Sequence, residues 1–259
     1  MVRNLRQFLE LLRSDGDLVT IDAPVDPKLE LAEIHRRVIH GGGPALLFTN
    51  VLGSKYPVAT NLFGTIRRVE RAFGPKPVRL VEDLVACAEA LAPPRFGELW
   101  KRKHLAWEAL KIGTKRRRSG PVLEVCEHPA RLDELPVLTT WQEDGGPFFT
   151  LPLVYTEHPD HPGKHNLGMY RLQRHDGQTT GMHWQIHKGG GFHYHVAEQR
   201  NEALPVTVFL GGPPALILAA IAPLPEDIGE LALASLLAGG KIDRVRAQGA
   251  AHPLVAEAE

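Results

Sequence analysis

Residues 165–191 read His-Asn-Leu-Gly-Met-Tyr-Arg-Leu-Gln-Arg-His-Asp-Gly-Gln-Thr-Thr-Gly-Met-His-Trp-Gln-Ile-His-Lys-Gly-Gly-Gly. Asp176-Gly177 is a strong hairpin signal, because a two-residue turn needs positive φ. With neither arm bulged, that turn sets Asn166 directly opposite His187, their Cβ atoms about 4.5–5.5 Å apart. Alternation then puts Gln185 on the same face as His187. A carboxamide oxygen beside an imidazole can hold a divalent ion, and Gly189 to Gly191 let a ligand approach the backbone closely. The same pattern also fits the solvated side of an ordinary antiparallel sheet, and spacing alone leaves both readings open. A helical zinc pair through His183 and His187 fares worse: the glutamate of H-E-x-x-H is missing and three glycines follow.

Around this stretch the chain from Pro121 onward is rich in strand patterns. Val122–Val125, Thr150–Thr156, Asn166–Arg174, Thr179–His187, Val206–Leu210 and Ile242–Ala247 all read as strands. Turn-rich segments such as Glu143-Asp-Gly-Gly-Pro147 and His158-Pro-Asp-His-Pro162 separate them, which predicts a small barrel or sandwich. One helix interrupts this half, from Pro225-Glu-Asp-Ile-Gly-Glu230 through Leu-Ala-Leu-Ala-Ser-Leu-Leu to Gly239-Gly240. Three acids in its first turn complement the helix dipole, and Glu230, deeper than the others, can aim a carboxylate inward.

The first half has another texture. Residues 4–13 carry Leu5, Phe8, Leu9 and Leu12 on one helical stripe, and Leu18–Ile21 reads as a strand. Asp26-Pro27 predicts the start of a second helix, which Gly41 stops. Ala45–Phe48 and Val58–Thr60 are strand patterns, Thr65 caps a helix to Phe73, and helical stretches follow over 80–91 and 97–111, broken by Pro93-Pro94. Alternating strands and helices predict an α/β layer domain over 1–114, with Lys115-Arg-Arg-Arg118 as a solvated basic linker to a second domain over 121–259.

The 259 residues carry 30 basic and 30 acidic side chains. That balance removes the usual footprint of a nucleic-acid binder. Cys87 and Cys126, far apart, exclude a secreted disulfide framework. The N-terminus lacks a signal peptide's apolar core, and the longest apolar stretch, roughly Pro213 to Pro225, is too short for a span of about 20 residues. Together these predict a cytoplasmic protein with no membrane segment.

Several segments, taken in order, resemble the UbiD family of reversible (de)carboxylases that use prenylated flavin mononucleotide (prenylated FMN). They are Asn166-Leu-Gly-Met-Tyr-Arg171, His183-Trp-Gln-Ile-His-Lys-Gly-Gly190, Leu204-Pro-Val, Leu210-Gly-Gly-Pro-Pro-Ala, and Glu230 before Leu236-Leu-Ala-Gly-Gly240. Leu5-Arg-Gln-Phe-Leu9 and Asp22-x-Pro-Val-Asp26 fit the family's opening, so the similarity covers essentially the whole chain. It implies an α+β fold: an α/β layer domain followed by a split β-barrel of flavin-reductase type that binds the cofactor. It also implies that Asn166, His187 and Glu230 hold a divalent ion, Mn2+ or Mg2+, which bridges to the flavin phosphate. A hard oxygen and nitrogen donor set suits those ions. Arg171 then seats the substrate carboxylate. Met169, Tyr170, Arg171, His183, Trp184, Gln185, Lys188 and Gly189 line the cofactor, and K+ sits near the same glutamate against carbonyls around Ala219, Ala220 and Ala222. Counted by alternation from Asn166, Arg171 points to the opposite strand face.

Two departures accompany the resemblance. Some family members have arginine where His183 and Lys188 stand, and lysine lacks the bidentate fork. The family's acid–base carboxylates, and a C-terminal domain that supports oligomerisation, lie beyond Ala256-Glu-Ala-Glu259. The expected function is non-oxidative decarboxylation of an aromatic or α,β-unsaturated carboxylic acid, in a chain that resembles the N-terminal half of such an enzyme and is a homo-oligomer when that domain is present. The competing expectation is a non-catalytic module for flavin or phosphate, alone or as half of a split enzyme.

Overall fold

The computed structural model describes residues 2–74, 112–185, 187–224 and 229–259. Asn4 starts helix α1 (Leu5–Ser14) by accepting the Gln7 N–H at 2.9 Å, and the helix buries Phe8 and Leu12. Strand β1 (Leu18–Ile21) runs parallel to β2 (Ala45–Phe48), and β3 (Val58–Thr60) closes the sheet antiparallel to β2. Helix α2 (Glu30–His40) begins later than Asp26-Pro27 predicts. Asp26 forms a turn instead: its Oδ1 accepts the Lys28 N–H at 2.7 Å, and its own N–H donates to Glu30 Oε2 at 2.7 Å. Thr65 caps α3 (Ile66–Phe73) as expected, and Gly74 at φ 65° ends it. The helices expected over 80–91 and 97–111, with Cys87 and His104, lie outside the described residues.

Packing overrules local pattern more often in the second half. The first two residues of the basic run, Lys115 and Arg116, lie in a strand, β4 (Thr114–Arg116), where a linker was expected. It pairs in parallel with β11 (Ile242–Val245), where Lys115 faces Asp243, and Arg117 Nε reaches Asp243 Oδ2 at 2.9 Å. An acid on the neighbouring strand makes the charged run tolerable there. β12 (Leu254–Val255) completes that sheet. The strand predicted at Val122–Val125 is a single 3-10 turn, Pro121–Leu123.

The arm predicted over Asn166–Arg174 is two strands. β7 (His161–Met169) pairs with β6 (Leu153–His158), whose other edge takes β10 (Thr207–Phe209). β8 (Leu172–Arg174) lies between β5 (Phe148–Phe149) and β9 (Thr180–Met182) in another sheet. The chain changes sheets at Tyr170-Arg171. The hairpin itself slips by one residue, with Arg174 facing Thr180 where a two-residue turn puts Thr179. Asp176 causes the slip: its Oδ1 accepts the N–H groups of Gln178 and Thr179 and its Oδ2 accepts the Thr179 hydroxyl, each at 2.7 Å. The expected facing of Asn166 and His187 is therefore wrong; Asn166 faces Thr156.

This half holds three described helices where one was predicted. α4 (Gly189–Gln199) opens on the three glycines. Three glycines cost a helix about 1 kcal/mol each, yet a Cβ on Gly190 would come within 2.8 Å of the Trp184 ring, and one on Gly191 within 2.4 Å of the Gln185 carbonyl. Gly190, His193 and Ala197 form its buried stripe. α5 (Pro214–Ile221) is apolar nearly all round, so it shows no amphipathic period in the sequence. α6 (Glu230–Ala238) ends at Gly239 in the left-handed conformation. α5 and α6 pack on β6, β7 and β10 around Leu153, Leu167, Leu216 and Ala234, all buried. The described strands form four three-stranded sheets in a mixed α+β fold. No helix among the described residues is long and apolar enough to cross a membrane.

Candidate metal and cofactor site

Glu230 is the first residue of α6, and the helix aims it at β7. Its Oε1 accepts the Asn166 Nδ2–H at 2.8 Å, and its Oε2 accepts the Leu167 N–H at 3.1 Å. Asn166 Oδ1 accepts the Tyr170 hydroxyl at 3.1 Å, and the Tyr170 oxygen accepts the Gly190 N–H at 3.0 Å. One chain of hydrogen bonds thus ties the start of α6, the middle of β7 and the start of α4. Burial holds the Tyr170 phenol above its ordinary pKa, against the Gly190 bond, so it stays a donor at neutral pH.

Gly189 closes the site from the α4 side. A Cβ there would lie 2.9 Å from Cγ and Nδ2 of Asn166, so any larger residue displaces the amide. His187 lies exposed in the turn before α4, which the Lys188 N–H closes on the Gln185 carbonyl at 3.0 Å. Gln185 and Lys188 are exposed, with Lys188 Nζ 6.0 Å above the Tyr170 ring. Trp184 is half-buried between rings, 5.1 Å from Tyr170 and 5.8 Å from Tyr194. Met169 ends β7 and packs against the main core.

Arg171 sits in the break between sheets, so alternation from Asn166 does not govern its direction. Its Nη1 lies 3.0 Å from Asp144 Oδ1, and its guanidinium stacks 4.1 Å from the Phe148 ring centre. His183 meets the same ring edge-on at 5.3 Å. Asp144 is nearly buried, its side chain 5% exposed. Sequence reasoning misses this acid, because Glu143–Pro147 reads as a plain turn and nothing in a turn pattern marks which residue points inward. The carbonyls of Ala219 and Ala222 already accept the N–H groups of Ala222 and Leu224, at 3.3 and 2.9 Å.

The residues present suit a hard divalent ion. A carboxylate and a carboxamide lie in one contact, and Gly189 packs on that carboxamide with no room for a Cβ. His165 Nε2, beside Asn166 in sequence, is buried with no hydrogen-bond partner among the described residues. No group of three or more His, Cys, Asp and Glu side chains gathers among them, so a purely His/Cys/acid cage is absent there.

Behind the site, the fully buried Thr156 shares a 2.8 Å hydrogen bond with His193 Nδ1 on α4. Burial first, then the nearby His158, Lys164 and His165, push the His193 pKa from 6.5 down to about 4, with Glu157 opposing. Between those values the unfolded chain binds the extra proton, so stability falls as pH drops from about 6.5 towards 4, by up to about 3 kcal/mol. Urea unfolding at pH 7 and pH 4.5 checks this: His193→Gln is expected to lose less stability on acidification than the unsubstituted chain, and equal losses contradict the assignment.

Residues 114–259 match the UbiD family model, described as the 3-octaprenyl-4-hydroxybenzoate carboxy-lyase Rift-related domain, and residues 9–88 match the N-terminal domain of the same carboxy-lyase. An uncharacterised protein of Chlamydia caviae is 50% identical over 256 residues, 99% of this chain and 44% of its own length. A relative from Chlamydia pneumoniae, named as one subunit of a 4-hydroxybenzoate decarboxylase, is 48% identical over 255 residues, 98% of this chain and 43% of that protein. The chain spans less than half the length of these curated relatives. A solved structure, an evolved dimeric form of the UbiD-class enzyme HmfF from Pelotomaculum thermopropionicum in complex with prFMN, matches with a TM-score of 0.81 at 25% identity, over 99% of this chain and 55% of that one. With one family model matching more than half of its residues, the chain belongs to the UbiD family.

Proposed function

We propose that this chain supplies the cofactor-binding part of a non-oxidative decarboxylase for aromatic or α,β-unsaturated carboxylic acids, working with prenylated FMN and Mn2+ or Mg2+. Residues 1–114 are the α/β layer domain and 121–259 the split β-barrel that receives the flavin. The observation that supports this most is the direct contact between Asn166 and Glu230, 64 residues apart, at the foot of a glycine-started helix. Family membership and a relative named as part of a decarboxylase give the chemistry its class.

Asn166, Glu230 and His187 hold the divalent ion, and Glu230 supplies the negative charge among them. The first turn of α4, apart from the Gly190 N–H that donates to Tyr170, turns its backbone N–H groups towards an incoming phosphate, the usual role of a helix N-terminus. Lys188 adds a point charge beside them. Arg171 spends Nη1 on Asp144 and keeps Nε and Nη2 for a substrate carboxylate, with Phe148 stacked on its guanidinium. Bound prenylated FMN supplies the electron sink for loss of carbon dioxide.

Equilibrium dialysis of the chain with MnCl2 and FMN tests the reading. We expect saturable Mn2+ binding that tightens when FMN is present, about one ion per chain. Absence of saturable binding of either would overturn it.

A further inference from the structure

Arg171 stands between β7 and β8, where neither strand's ladder holds its side chain. Two contacts do. The Phe148 ring centre lies 4.1 Å from the guanidinium carbon, and attraction to a ring face has no preferred direction within that face. Asp144 supplies the direction: its Oδ1 and Oδ2 accept from Nη1 at 3.0 and 3.4 Å. Nε and Nη2, the edge that matches a carboxylate with two parallel bonds, have no partner among the described residues. The arginine side chain is 41% exposed, so that edge is open to a ligand.

The acid is not what holds its own loop. The Thr139 N–H donates to the Pro27 carbonyl at 3.2 Å, and the Thr139 carbonyl accepts the Leu29 N–H at 2.9 Å. Leu138 and Phe148 exchange backbone bonds at 2.8 and 2.9 Å, and Gln173 Nε2 donates to the Gly145 carbonyl at 2.6 Å. Asp144 nevertheless lies buried, with the Thr140 hydroxyl donating to Oδ2 at 3.2 Å. Lys28 and Arg174 border the cavity of about 420 Å3 that the loop lines, but among the described residues Arg171 is the one cation paired with Asp144. A buried ion pair adds little net stability, so its contribution here is direction. The acid stays under cover and keeps its partner when a ligand arrives at the open edge, and neither side chain has to move.

We infer that Asp144 is a positioning residue: it holds Arg171 by Nη1 so that the Nε and Nη2 edge faces a substrate carboxylate. This rests on the reading of Arg171 as the seat of that carboxylate. Asp144 also repels the carboxylate, so charge alone predicts tighter binding once the acid is gone. Loss of positioning predicts weaker binding, and the sign separates the two.

Benzoate is titrated into the chain with FMN and MgCl2 present, and binding is followed by nuclear magnetic resonance of the nitrogen-labelled guanidinium, assigned by its loss in Arg171→Lys. Asp144→Ala is expected to bind benzoate about 10-fold more weakly, because a guanidinium free to turn makes one charge-assisted bond where two were held. Asp144→Asn keeps an oxygen for Nη1 and should bind at least as tightly as the unsubstituted chain. Before benzoate is added, the Arg171 Nη protons should give separate signals in the unsubstituted and Asn chains and one averaged signal in the Ala chain. A merely structural acid leaves both readouts unchanged in folded variants. Arg171 reaches water, so Asp144→Ala strands no buried charge, and circular dichroism checks its folding. If the unsubstituted chain binds no benzoate, or Arg171→Lys binds it as tightly, the carboxylate seat falls and this inference with it. If benzoate binds through Arg171 while folded Asp144→Ala binds it as tightly or tighter, the role of Asp144 falls and the seat stands. One averaged signal in the unsubstituted chain also overturns that role, and this reading needs no variant.

Discussion

Glu230→Gln is expected to weaken Mn2+ binding by at least about 100-fold, because the loss of a direct ligand should match or exceed the 10–100-fold that outer partners of a metal site cost. The carboxylate is the negative charge of the proposed ligand set. The amide is nearly isosteric and keeps an oxygen for the Leu167 N–H, which Glu230 now accepts at 3.1 Å. Folding should therefore survive, with urea stability within about 1 kcal/mol of the original. Titration of Mn2+ followed by its paramagnetic resonance signal gives the affinity. A variant that folds and binds Mn2+ as tightly as before removes Glu230 from the site.

Asp17→Asn is expected to destabilise the chain by about 3 kcal/mol, near the low end of what removing one partner of a buried ion pair costs. Arg68 on α3 is 1% exposed, and its Nη1 lies 2.8 Å from Asp17 Oδ1. Both terminal nitrogens also reach the Gly43 carbonyl at 3.3 Å, while Nε has no partner among the described residues. Without Asp17 the guanidinium remains buried, with a neutral amide and a carbonyl left to stabilise it. Asp17 is 18% exposed, so the orphan acid left by Arg68→Met reaches water and that variant should lose less. Thermal melts should show Asp17→Asn lowered by about 6–12 °C. An unchanged melting temperature means that the pair contributes nothing net.

Local chemistry was enough to place elements whose signals lie within a few residues. Thr65 before α3, Gly239 after α6 and the apolar runs of β1, β2 and β3 all sit where the sequence puts them. Elements that depend on distant packing were misread. α4 is absent from the sequence reading because its three glycines disfavour helix, yet they let Asn166, Trp184 and the Gln185 backbone come close. β4 looks like a linker because its acid partner, Asp243, lies far along the chain. The site divides the same way. Resemblance named Asn166 and Glu230 together, but the hairpin count that set Asn166 facing His187 failed. Asp176 slips the turn by one residue and the chain leaves the sheet of β8 at Arg171, so that Asn166 pairs with Thr156 instead.

By itself, then, the sequence determined the class of the chain: mixed helix and strand, balanced in charge, with the ordered segments of one family. Capping, turn residues and apolar period act over a few bonds, so one chain suffices to read them. Only the tertiary structure decided that β7 and β8 belong to different sheets, that Arg171 turns to Asp144, and that the Asn166 oxygen points at Tyr170 instead of Glu230. Each of those depends on which remote atom offers the better hydrogen bond or the closer fit, and sequence distance does not encode that choice.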